Sequence, residues 1–226
     1  MLGSAYALTQ NSILPPKIII KNRFIPKRSL QPDDIISSIT VNTALTQVPV
    51  VNKSLTKEGI ISSWLLGNTL WMGMSFEAWL ISLIYFISGS IVTKIKFDEK
   101  EELGIAEKRG GKRGPENVLG SGTVPLLSSI LINFQPQYSE LFHLGLVAAF
   151  ATKLSDTFAS EIGKAYGNNC YLITNFTKVP KGTEGAVSLE GTLAGIGGGF
   201  LISLAALNLN LIDSYQELFI INVAAF

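Results

Sequence analysis

Cysteine and histidine are nearly missing from this chain of 226 residues, which holds Cys170 and His143 and no other of either kind. A lone cysteine excludes an internal disulfide and a zinc-type cysteine cluster, so neither a stapled secreted framework nor a structural zinc site is available. Charge is scarce too: Asp, Glu, Lys and Arg make up 15% of the residues, against about a quarter in ordinary soluble domains. With 47% hydrophobic residues and a mean hydropathy of +0.34, the chain is too apolar for water and reads as an all-α polytopic membrane protein. No acid precedes Asp33, whereas Lys17, Lys21, Arg23, Lys27 and Arg28 all do, and a secretory apolar core is lacking. Residues 1–40 are therefore expected to form a basic tail, either transit-like or lying on a surface, ahead of a membrane-embedded helical domain at 41–226.

Apolar runs recur at 59–76, 78–93, 118–134, 141–163 and 193–212. A spanning helix takes about 20 mostly apolar residues, so the first two runs are short and suggest a tight helical hairpin turning at Glu77. Gly67, Gly73 and Gly89 let neighbouring backbones approach there, and Gly191, Gly195 and Gly199 do so in the last run. A further apolar run begins at Leu218 and stops at Phe226, too short to span, and is expected to be the start of a truncated sixth helix. The expected fold is five to six transmembrane helices with a short β-hairpin-like loop, its strands near 171–176 and 186–189. Of the 18 Lys and Arg, all but Lys153 fall in the N-terminal tail, the 94–117 loop, the 164–190 loop or the nearby helix ends, on one side. The connections near Ser75, Pro136 and Asp213 hold none, so the basic side is cytoplasmic, or stromal in a plastid.

Three segments on or near that side carry chemistry. Lys153, Asp156, Thr157 and Ser160 share a narrow arc of the fourth apolar helix, and Glu161 is rotated about 80° from Lys153. Charges at bilayer depth mark a functional site by default. One reading is a self-neutralising Lys153–Asp156 pair; the other is that Asp156 and Glu161 hold Mg²⁺, which favours one or two carboxylates plus phosphate oxygens and water. The loop after it offers Lys178, Lys181, Gly182, Thr183, Gly185 and Ser188 as cations, hydroxyls and open backbone for a phosphate, without the spacing of a Walker A loop. The other loop, with Lys108, Arg109, Lys112, Arg113 and Asn117 around Gly110 and Gly111, suits a polyphosphate or an anionic lipid headgroup, or else serves as a positive-inside anchor. Nucleic acid is not expected, since the cluster is short and lacks interleaved aromatics.

Together, the stretches Glu-Lys-Arg-Gly-Gly-Lys-Arg-Gly-Pro-Glu-Asn at 107–117, Ser-Asp-Thr-Phe-Ala-Ser-Glu-Ile-Gly at 155–163 and Val-Pro-Lys-Gly-Thr-Glu-Gly-Ala-Val-Ser-Leu-Glu-Gly-Thr at 179–192 resemble one integral-membrane family. It was long described as a domain of unknown function, and its plant and cyanobacterial members are phytyl-phosphate kinases. The resemblance covers residues 41–212 and departs from the family at Gly185-Ala186, where many relatives have Gly-Gly. It implies transfer of a nucleotide γ-phosphate, from CTP or another donor, onto phytyl or another isoprenyl monophosphate, for tocopherol and prenyl-lipid synthesis in a chloroplast or cyanobacterial membrane. On that basis Asp156 and Lys181 are the expected catalytic residues, with Mg²⁺ on Asp156 and Glu161. The expected substrate contacts are Arg109, Arg113, Asn117, Lys178, Gly182, Thr183, Gly185 and Ser188, with the lipid tail among the third to fifth apolar helices. A lipid cytidylyltransferase and a non-enzymatic transporter are the competing readings.

Overall fold

Proline, serine and threonine set where the helices start. The computed structural model describes residues 31–226, so the basic stretch up to residue 30 lies outside the described residues. Helix α1, Pro32–Leu45, opens on proline with Asp33 and Asp34 in its first turn, where acids suit the positive end of the helix. Its Ser38 hydroxyl donates to Asn68 Oδ1 at 2.8 Å, and its Asn42 Oδ1 accepts from the Trp79 indole at 3.0 Å. Residues 32–40 thus belong to the bundle rather than to the tail assigned to them from sequence.

After the short α2, Pro49–Ser54, come α3, Lys57–Gly73, and α4, Phe76–Lys94. Thr56 accepts from Gly59 N at 3.1 Å and Ser75 from Ala78 N at 3.2 Å, so each satisfies an N–H that helix geometry leaves orphaned. The expected hairpin forms, but it turns at Met74 and Ser75 and leaves Glu77 in the first turn of α4; Trp71, Phe76 and Trp79 pack there with ring centroids 4.8–5.3 Å apart. A six-residue helix α5, Phe97–Glu102, precedes α6, Pro115–Leu131, and α7, Ser139–Tyr166. Helix α7 is the mast: Leu146, Val147, Phe150, Ala151 and Leu154 are fully buried where it packs against α4, α6, α8 and α9.

The loop after α7 forms three short strands rather than a hairpin, β1 Cys170–Leu172, β2 Lys178–Val179 and β3 Ala186–Val187, with β1 central and antiparallel to both neighbours. Helix α8, Leu189–Asn208, is set against α7 through glycines: a Cβ at Gly191 would lie 2.6 Å from Ala159 O, and one at Gly198 2.9 Å from Leu154 O. The chain closes with α9, Tyr215–Ala225, capped reciprocally by Ser214 and Glu217.

Serines and asparagines lie inside this bundle, and large apolar side chains such as Ile61, Leu65, Leu193, Phe219 and Val223 lie outside. Apolar side chains exposed on that scale, around an apolar core that also holds small polar residues, suit a lipid exterior. Among the described residues two helices are long and apolar enough to cross a membrane, Phe76–Lys94 and Leu189–Asn208. Helices α3 and α6 have 17 residues each, α7 has 28 but carries charges, and α9 has 11, so length and apolarity single out fewer spans than the five to six expected.

Candidate functional site

The basic 94–117 loop is tied down at both ends. At residues 109–111 the chain makes a left-handed turn, with φ of 57°, 64° and 74°, a conformation that glycine adopts without steric cost and that explains Gly110-Gly111. Lys94 Nζ donates to Gly110 O at 2.7 Å and pins this turn to the end of α4. Arg109, half-exposed, is spent on an ion pair with Glu116. Arg113 differs. Its backbone pairs with the chain ahead of α3, donating to Ser54 O at 2.9 Å and accepting from Thr56 N at 3.0 Å. That pairing directs the side chain inward, where the guanidinium lies 5.4 Å from the Tyr85 ring centroid and directly against Gly89. Among the described residues it has no carboxylate partner.

Arg113 and Asn117 line a cleft of about 770 Å³, counted with its open mouth, whose walls include Leu45, Trp64, Leu66, Trp79, Phe86 and Phe150. It runs from the loop level at Ile60 and Asn117 down to Gly67 and Trp79, with few polar interruptions. The apolar space therefore lies among α1, α3, α4 and α6. Of the glycines where the lipid tail was expected, Gly191, Gly195 and Gly198 are packed against α7, Gly122 against Leu66 and Gly199 against α9.

The polar stripe of α7 divides. Asp156 is exposed and accepts from Lys153 Nζ at 3.1 Å; the Thr157 and Ser160 hydroxyls donate to the Lys153 and Thr157 carbonyls of their own helix. Glu161, five residues on, points about 140° away from Asp156. It is 3% exposed, paired with Lys100, and 3.4 Å from Lys164 Nζ. The two carboxylates expected to share a metal are thus not brought together, and no group of three or more His, Cys, Asp or Glu among the described residues could hold one. Asp156 alone still fits the Mg²⁺ mode in which one carboxylate and substrate phosphates supply the ligands. Lys100 escaped the sequence reading; its one signal was a single cation amid the acids of Phe-Asp-Glu-Lys-Glu-Glu.

In the 177–192 loop, Lys178 Nζ donates to Asn169 Oδ1 at 2.7 Å and the Thr183 hydroxyl to Pro180 O at 2.8 Å. Gly182, with φ of 83°, packs on Ile105, where a Cβ would come within 2.5 Å, so the two basic loops touch here. Gly185, with φ of 75°, faces open space, and Lys181 is half-buried with no ion pair among the described residues. Ser188 is buried and accepts from Gly191 N at 3.1 Å. Its oxygen caps α8. Beneath the loop, burial pushes the Cys170 thiol above its ordinary range, Glu190 adds to that, and Lys181 and Lys178 oppose it.

Known proteins align with this arrangement over most of its length. An uncharacterized membrane protein of Synechocystis is 45% identical over 194 residues, covering 84% of this chain and 75% of that protein. The chloroplastic protein VTE6 of Arabidopsis thaliana is 45% identical over 158 residues, covering 69% of this chain and 47% of its own length. An uncharacterized membrane protein of Methanocaldococcus jannaschii is 34% identical over 167 residues, covering 74% of this chain and 68% of that protein. The chain thus spans about three quarters of the cyanobacterial relative and under half of the chloroplast one. No solved structure matches. The family described as integral membrane protein DUF92 matches residues 38–226, and the chain belongs to it.

Proposed function

We propose that the chain is a membrane-bound phosphotransferase that converts an isoprenyl monophosphate, phytyl phosphate by the resemblance, to the diphosphate, with CTP or another nucleoside triphosphate as donor. The observation that carries this reading is Arg113: a partly buried cation with no carboxylate partner among the described residues, beside Asn117 on a mostly apolar cleft, the pattern expected for a lipid with an anionic head. The chloroplastic and cyanobacterial relatives fit the photosynthetic membrane that the resemblance implies, with its role in tocopherol and prenyl-lipid synthesis. The tail lies in the cleft and the phosphate meets Arg113, with Asn117 offering its amide.

The nucleotide phosphates fall to the 178–185 loop, through Lys181, Lys178 and the open backbone at Gly185. Asp156 would hold Mg²⁺, which supplies charge neutralisation at the phosphates. An oxygen of the acceptor phosphate bonds to the γ-phosphorus, the bond to the bridging oxygen breaks, and the nucleoside diphosphate leaves. The acceptor is already ionised, so no histidine base is needed, and positioning with charge neutralisation does most of the work.

Helix α7 is about 42 Å long against about 30 Å of hydrocarbon. Counted from its start at Ser139, about twenty residues cross the core, so Asp156 reaches the basic-side interface and Glu161 lies past it. By the positive-inside rule that interface is stromal or cytoplasmic, where nucleotides are found. The test is to incubate the purified chain with phytyl phosphate and CTP labelled at either the γ or the α phosphate. Label in the lipid from γ alone supports the kinase; label from α makes the chain a cytidylyltransferase. No label from either, with nucleotide-independent lipid flux in liposomes, makes it a transporter.

A further inference from the structure

We infer that Glu161 is a positioning residue that latches the arginine-bearing loop onto α7 through Lys100, and that it is not a metal ligand. Helix α5 has six residues, too few to hold itself together, and Lys100 is its one buried residue. That side chain is 1% exposed, donates to Thr93 O at 2.9 Å and pairs with the Glu161 carboxylate, 61 residues away in sequence. The other carboxylate oxygen faces Lys164 Nζ at 3.4 Å, and Lys164 in turn reaches Glu107 at 4.0 Å. Glu161 therefore has both oxygens engaged by cations, and a metal would have to displace them. The chain Lys100, Glu161, Lys164, Glu107 runs from the start of the loop to the residue just before Lys108-Arg109-Gly110-Gly111. Removing one member of a buried pair leaves the other charged and unsolvated, which releases the loop rather than merely loosening it.

The part of this inference that concerns transfer rests on the phosphotransferase reading, because the latch keeps Arg113 at the cleft; loop docking itself does not. In the wild-type chain in detergent, an amine-acetylating reagent read by mass spectrometry should modify Lys108 and Lys112 and spare Lys100. Equal labelling of Lys100 and Lys108 overturns the latch, and this arm needs no variant to fold. Glu161→Gln and Lys100→Met should speed trypsin cleavage after Lys108, Arg109 and Lys112 at least about tenfold, and the exchange K100E/E161K should recover most of the protection. In transfer assays the same variants should raise KM for the lipid phosphate and leave the Mg²⁺ half-saturation unchanged. A Glu161→Gln chain that is cleaved at the wild-type rate but needs about tenfold more Mg²⁺ would show a metal ligand and overturn the proposal. Chains that show the expected labelling and cleavage yet transfer no phosphate would uphold the latch and refute the phosphotransferase.

Discussion

Replacing Arg113 by methionine tests the cleft most directly, because Arg109, four residues away, serves as its control. A hydrogen bond to an ionised group contributes about 1.5–3 kcal/mol net, so losing the guanidinium should raise KM for phytyl phosphate roughly ten- to 150-fold. The effect on folding is smaller. Stacking over Tyr85 contributes about 0.5–2 kcal/mol, and methionine keeps an apolar stem against Gly89. Arg109 is half-exposed and held by Glu116, a surface pair worth about 0.2–1 kcal/mol, so Arg109→Met should change KM by less than about sixfold. The assay is transfer of γ-labelled phosphate to lipid in detergent, with kcat and KM separated over a range of lipid phosphate and the thermal midpoint followed alongside. Equal rises for the two variants, or an Arg113→Met KM within about twofold of wild type, would refute the assignment of the phosphate to Arg113.

Asp156→Asn should abolish Mg²⁺-dependent transfer while membrane insertion persists; retained activity removes Asp156 as the metal residue. Ser188→Ala should lower stability by about 1 kcal/mol through the lost α8 cap and leave nucleotide KM unchanged, as read from thermal midpoint and kinetics. Gly191→Ala, whose Cβ would sit 2.6 Å from Ala159 O, should cost about 1–3 kcal/mol in the same melt. Gly197→Ala, with nothing within 4 Å, should be neutral or stabilising by up to about 1 kcal/mol. Burial raises the Cys170 pKa, so the neutral thiol persists to higher pH than usual. Alkylation near about pH 8 should be slow in the folded chain, rise as the pH climbs past the ordinary thiol range, and be fast at once in SDS; equal folded and unfolded rates would contradict the burial.

The sequence by itself determined the helices that matter, because apolar runs of near-spanning length between proline, serine and glycine leave the backbone few other ways to satisfy its hydrogen bonds in an apolar surrounding. It also marked the close-packing face of α8, since Gly191 and Gly195 recur four residues apart, although not the helix that fills it. Short α5 and the exposed start of α1 were not legible, because six residues or a low-contrast pattern carry too little periodicity. Which charges are free was decided by tertiary structure alone. In the linear chain Arg109 and Arg113 look equivalent, as do Asp156 and Glu161, yet Arg109 pairs with Glu116 while Arg113 lines the cleft, and Asp156 is exposed beside Lys153 of its own helix while Glu161 is buried against Lys100. The pairing of Glu161 with Lys100 spans 61 residues, and Arg113 is turned inward by a backbone pairing with Ser54 and Thr56. The free energy of a charge depends on its burial and on its nearest counter-charge, and both are set by chain segments far apart in sequence.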